Sequence, residues 1–219
     1  MSRAVTADHV LFDECIHAFR KTDESHPAFM EGDSRSFLLT SFHIPVAWKF
    51  PHAQVLPSLE ARLPGALASF ICRVENPAWV GTHNAHLYGL ALAAIVSFVT
   101  GRPCQSTRDD LLRRRPDLTE QDLVQLAVHH PILVAGSGCV SPWLSQKTLS
   151  EYESAIASLI ARLHEVSFNK YTHIMQAVRL VHLSLLNKRN DFGLAYLLVI
   201  SAIEAIAQQA IHRESVKQT

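Results

Sequence analysis

Arg179, His182 and Glu204 are the side chains whose types and placement could do chemistry together. An arginine can stabilise charge developing on a phosphate, and a histidine can exchange protons near neutral pH. Glu204 sits in the run DFGLAYLLVISAIEAIAQQAI, residues 191–211, which is apolar almost all the way round. At about 100° per residue, Ser201, Glu204, Gln208 and His212 form one polar stripe within roughly an 80° arc. A carboxylate in that setting needs a partner, because an unpaired buried one is costly or neutralised. Two readings follow. Either an arginine of a neighbouring helix holds Glu204 structurally, or the stripe is a polar site at a helix interface. His182 lies at the edge of the apolar face of the preceding helix, with Arg179 one turn earlier on its flank.

A second group is basic. Arg102, Arg108, Arg113, Arg114 and Arg115 cluster in the middle of the chain and could hold phosphates, which makes them candidate nucleic-acid contacts. Asp109, Asp110 and Asp117 dilute that charge, so a solvated, salt-bridged surface is the competing reading. His83 and His86 have an i, i+3 spacing that a metal could use. No third ligand follows at a recognisable interval, so neither a metal nor a cofactor is expected. The glycines at 136 and 138 do not form a phosphate loop, and no serine or cysteine hydrolase signature is present.

The elements that must position these residues are mainly helical. Asp8–Arg20 reads as a short helix. SFLLTSFHIPVAW and GALASFICRVE read as strands or extended segments broken by prolines. Thr82 can cap a helix over 84–100 that Gly101 and Pro103 end. Thr119 with Asp122 starts another over 120–129 in the manner of a capping box, and His129–His130 suits the end of its dipole. A domain boundary is placed near 135–147.

Three helices follow. In the first, about 149–166, Tyr152, Ile156, Leu159, Ile160, Leu163 and Val166 share a face. In the second, about 169–187, Tyr171, Ile174, Val178, Val181 and Leu185 do so. The short connection Asn187–Asn190 forces an antiparallel hairpin with the third. The expected fold is therefore mainly α. A mixed, partly β region spans 1–135, and a helical unit spans 148–219. Helix 191–211 is expected to be the most buried element, with Leu198, Ile200 and Ile206 in the core.

The 219 residues balance 20 basic against 20 acidic side chains. That excludes a chain that coats nucleic acid or anionic membrane non-specifically. The four cysteines are scattered and read as reduced thiols. No signal peptide or membrane span is seen, so a soluble cytoplasmic protein is expected. The apolar last helix, with nothing following to cover it, implies a homodimer through the C-terminal helices.

The segment HIMQAVRLVHLSLLNKRNDFGLAYLLVISAIEAIAQ resembles a HEPN-type helical domain of the ApeA-like branch, with its acidic residue set in a helix after a short polar turn. HLYGLALAAIVSFVTGRP resembles the region upstream of such domains. The resemblance implies a helical bundle, frequent dimerisation and metal-independent RNA cleavage in toxin–antitoxin or antiviral defence systems. In that family cleavage needs an Arg-x(4–6)-His pair in a later helix. Only IHRESVKQT follows here, and Arg3/His9 and Arg20/His26 have that spacing at the wrong end of the chain. The chain is then either a piece of a longer protein or a member without the nuclease. As it stands it is expected not to cleave RNA, and the alternative is a non-enzymatic module that binds itself or a protein partner.

Overall fold

The computed structural model describes residues 7–21, 34–63, 67–106, 118–132 and 141–217. Among these, the chain runs α1 (Ala7–Phe19), β1 (Arg35–Thr40), β2 (Trp48–Phe50), β3 (Ala53–Val55), β4 (Leu59–Leu63), β5 (Leu67–Glu75) and α2 (Ala85–Thr100). Then come β6 (Cys104–Ser106), α3 (Glu120–His129), α4 (Gln146–Glu165), α5 (Phe168–Asn187) and α6 (Phe192–Lys217).

The six strands make one antiparallel sheet with β5 as its spine. Ile71 faces Leu39 of β1 across one edge and Leu59 of β4 across the other, and Val55 of β3 joins further along at Val74. β2 extends the sheet from β3, and β6 closes the far side against β1. β1 and β5 are apolar at successive positions, which suits strands covered on both faces. Phe37, Leu39 and Ile71 pack with Ala61, Leu123, Ala127 and Ile132 under α3. Leu38, Cys72 and Val74 point the other way, into the larger core with Leu92, Ile95, Ile156, Ile160 and Tyr171.

α2 is the helix that the rest surrounds. Nearly every residue from Ala85 to Ser97 is buried. It reaches the sheet at Gly89, where a Cβ would come within 2.5 Å of Ser106 Oγ and 2.9 Å of Ser36 Cβ. Any larger residue would push the helix off β1 and β6. Gly101 ends α2 with φ 64°, a left-handed value that glycine adopts without strain, and its N–H bonds to Ser97 O. α1 is tied across the chain to the C-terminal helices. Tyr171 Oη donates to Ile16 O at 2.8 Å, and Arg20 Nη1 donates to Val166 O at 2.6 Å.

Several expectations need correction. The fold is mixed α/β rather than mainly α: strand makes up 18% of the described residues beside 57% helix, and the strands form one complete sheet. Of the prolines that made this region look broken, Pro45, Pro51 and Pro57 sit between strands and Pro77 just after β5, where their missing N–H costs nothing, while Pro64 lies outside the described residues. Thr82 opens a short 3-10 turn, Thr82–Asn84, and Asn84 is the N-cap of α2. The capping box of Thr119 and Asp122 is present in full, with Asp122 N–H donating to Thr119 Oγ1 at 3.2 Å. Of the boundary near 135–147, residues 135–140 lie outside the described residues.

The largest correction concerns α6. Leu198 and Ile200 are only half-buried, and Ile206 is exposed. Among the described residues, α5 is the one element against which α6 packs substantially. Ala195 and Ala202 face it, and the other sides of α6 stay open. An all-round apolar helix needs covering on most sides. Here one side is covered, and α2 holds the central place instead. No helix among the described residues is long and apolar enough to cross a membrane.

Candidate functional site

Arg179 and His182 meet on α5. Arg179 Nη1 is 3.0 Å from His182 Nδ1, and His182 Nε2 is 2.7 Å from the carbonyl oxygen of Cys104 in β6. A guanidinium only donates and a carbonyl only accepts, so the tautomer is determined. Nε2 carries the proton and gives it to Cys104 O, while Nδ1 accepts from Arg179. Ser97 of α2 holds that carbonyl too, through its Oγ at 3.3 Å, and the same Oγ accepts the Cys104 N–H at 2.9 Å. The ring is 1% exposed. Burial, and then the Arg179 charge, push its pKa down to about 4, with the Cys104 carbonyl acting in the opposite sense. His182 is therefore neutral at pH 7 with both nitrogens engaged by protein. General acid–base work needs a ring nitrogen within reach of a substrate proton. This histidine instead pins α5 to β6 and fixes the guanidinium beside it.

Glu204 does not join this pair. It lies exposed on α6 with Ser201, so these two members of the polar stripe face solvent. Arg102 is half-buried, its Nη1 donating to Ser141 O at 3.2 Å and its guanidinium lying 5.9 Å from the Phe42 ring centre. Arg108, Arg113, Arg114 and Arg115 lie outside the described residues. His129 and His130 are exposed at the end of α3.

One pairing was not visible in the sequence. Ser58 Oγ lies 2.8 Å from His43 Nδ1 and accepts the Ile44 N–H at 3.0 Å. Among the described residues no carboxylate is bonded to that ring; Trp143 meets it edge-on and Phe70 lies tilted against it. Its evident work is to fasten the β1–β2 connection to the start of β4.

No family model matches the chain, and no curated protein or solved structure matches it either.

The most distinctive surface belongs to α6. Phe192, Tyr196, Leu197, Ile203 and Ile206 each expose more than half of their area, from 56% for Ile206 to 68% for Phe192. Four of them, with half-buried Val199, follow the spacing 4, 3, 4, 3: Phe192, Tyr196, Val199, Ile203, Ile206. That is the alternation of a helix seam that meets another helix. It runs about a quarter-turn from the alanines that face α5 and nearly opposite Ser201 and Glu204. The pattern stands in the sequence, masked there by the other leucines and isoleucines of the same run.

Proposed function

We propose that this protein is a non-enzymatic interaction module that pairs with a second copy of itself through the seam of α6. The observation that carries the reading is the exposed 4-3-4-3 row on a helix supported from one side. A row without ionised side chains offers nothing to a charged partner and is complementary to itself. Its composition favours an antiparallel arrangement about a two-fold axis near Val199. Tyr196 of each copy then meets Ile203 of the other, and Phe192 meets Ile206, so a flat ring packs on a branched side chain throughout. A parallel pair would stack ring on ring at one end and leave only aliphatics at the other. The resemblance to HEPN domains supports pairing as well, since such domains frequently dimerise. The buried thiols of Cys72 and Cys104, which form no disulfide, support a reducing, cytoplasmic setting.

An RNA-directed role in defence or toxin systems rests on the resemblance alone. Arg179 and His182 argue against cleavage, because the histidine has no nitrogen left for a substrate. Purified protein incubated with a mixed RNA pool is expected to leave it intact, with or without chelator. Chelator-resistant cleavage that an Arg179→Ala/His182→Ala variant abolishes would overturn this.

Pairing is tested by sedimentation at tens of micromolar. Wild type is expected at twice the chain mass, and a Tyr196→Asp/Ile203→Asp variant at the chain mass with unchanged helical circular dichroism. A strictly monomeric wild type sinks the reading. Orientation is tested by oxidising single substitutions. Val199→Cys is expected to cross-link the two copies and Phe192→Cys is not, whereas a parallel pair would cross-link through both.

A further inference from the structure

Three rings meet where the β2–β3 turn touches the end of α4. His52 lies 5.1 Å from Trp79 and 5.9 Å from His164 between ring centres, and Trp79 is 5.9 Å from His164. Each ring thus meets the other two, close to edge-on, and Phe19 of α1 flanks His164 at 6.0 Å. His52 is exposed and His164 half-buried. The backbone presents His52 to this cluster. It follows Pro51 in the two-residue turn between the paired Phe50 and Ala53, and its φ of 67° is the left-handed value that the third residue of a type II turn needs. Glycine takes that value without strain and histidine does not. Strain of this kind persists where the surroundings over-determine it, and the contacts with Trp79 and His164 do so here.

The charges around these rings set how the cluster responds to acid. Arg20, just past α1, donates to Leu163 O at 3.2 Å and to Val166 O at 2.6 Å. It therefore already takes the carbonyls at the end of α4 that would otherwise favour a protonated His164. On its other side His52 borders a polar cavity with Arg35 of β1, Lys49 of β2 and Glu75 of β5. Glu165 follows His164 on α4 and is exposed, as is Glu75. Among the described residues neither histidine forms an ion pair with a carboxylate. With both imidazoles neutral, the cluster is a contact of three uncharged rings. With both protonated, two cations stand together beside Arg20. Burial, then His52, then Arg20 hold the pKa of His164 below its ordinary 6.5. The closed cluster thus resists the proton, and acid favours whatever separates the rings.

We propose that these rings form an acid-opened latch: at neutral pH the β2–β3 turn is held on the end of α4, and protonation of His52 and His164 beside Arg20 releases it. Trp79 Nε1 is buried in the closed cluster, so exposure of this indole reports opening. The test uses the full chain carrying Trp48→Phe and Trp143→Phe, which leaves Trp79 as the one tryptophan and removes the indole that meets His43. Acrylamide quenching of this parent is followed from pH 7.5 to 5, beside far-UV circular dichroism. Quenching is expected to rise in one step with its midpoint below pH 6.5, while helix content stays level. His164→Phe in that parent keeps a ring and removes its charge, and is expected to hold Trp79 protected throughout. His52→Gly removes the other ring and relieves the turn, and is expected to leave Trp79 open to quencher at every pH. If His164→Phe does not fold, His164→Gln takes its place and is expected to show quenching independent of pH. If the parent itself does not fold, the Trp79 indole N–H, identified as the signal lost in Trp79→Phe, is followed by NMR instead. Adding Tyr196→Asp/Ile203→Asp is expected to leave the step unchanged, which separates the latch from the seam. Quenching independent of pH in the parent, a step that persists in either histidine variant, or a step that appears only together with loss of helix overturns the proposal.

Discussion

Two ring nitrogens must be satisfied at position 182, where almost no water reaches, and the protein does so with one carbonyl and one guanidinium. The arrangement exists only for the neutral ring, since protonated Nδ1 would turn a donor against the Arg179 donor. This gives stability a pH dependence of known sign. The folded pKa, about 4, lies below the ordinary histidine value of 6.5, so between these pH values the unfolded chain binds more protons. Stability is complete above about pH 6.5, falls as pH drops toward 4, and loses roughly 3 kcal/mol from this residue over that window. His164 is also held below its ordinary value, by burial first and then by His52 and Arg20, and adds to the same trend. Denaturant melts from pH 7.5 to 4.5 are expected to show the loss, and in His182→Asn most of the slope should disappear while the part due to His164 remains. An equally steep profile in His182→Asn would show that His182 is not the titrating group.

Among the elements, burial follows neighbours rather than composition, and α2 and α6 make the contrast. Both are rich in apolar residues, but α2 lies between sheet, α1 and α5, whereas α6 rests on α5. Leu92 of α2 is fully buried and Leu198 of α6 half-buried. Leu92→Ala is expected to cost about 2–5 kcal/mol, and Leu198→Ala less than half as much. Chemical denaturation of the two variants side by side checks this, and equal losses would restore α6 to the core.

Local signals were legible in the chain at this scale. The Thr119–Asp122 box, the left-handed Gly101 and the short Asn187–Asn190 turn each act over three or four residues, and each lies where its chemistry places it. Asp191 Oδ1 likewise caps α6 at Leu194 N. What could not be read was non-local. Strands β1 and β5 pair across a gap in which several other strands intervene, and nothing within either segment names its partner. Periodicity reports which faces are apolar but not which are covered, and that is why the run 191–211 read as a core helix. The pairing of Arg179 with His182 follows from their spacing on one helix. The carbonyl that fixes the ring belongs to a strand 78 residues away and carries no signal near position 182.

At the scale of the molecule, the larger core gathers side chains from α1, α2, α4, α5 and the sheet, with Ile16, Phe19, Leu92, Cys104, Ile160 and Tyr171 in the same cluster. α6 is attached to this body through α5 and is absent from the cluster. An element with one supporting neighbour sits at the low-stability end of a structure. Pairing through the seam would change that, because a partner that binds only the folded α6 stabilises it by mass action. Each ten-fold rise in concentration above the dissociation constant adds about 1.4 kcal/mol per dimer, or about 0.7 kcal/mol per chain. For a chain of this size that corresponds to a rise in melting temperature of about 1–3 °C. Calorimetric melts over a hundred-fold concentration range are expected to rise accordingly for wild type and to stay level for Tyr196→Asp/Ile203→Asp. The two should converge at the dilute end, where both are single chains. A wild-type melt independent of concentration, together with a monomeric mass, would mean that the α6 seam is not covered by a second copy.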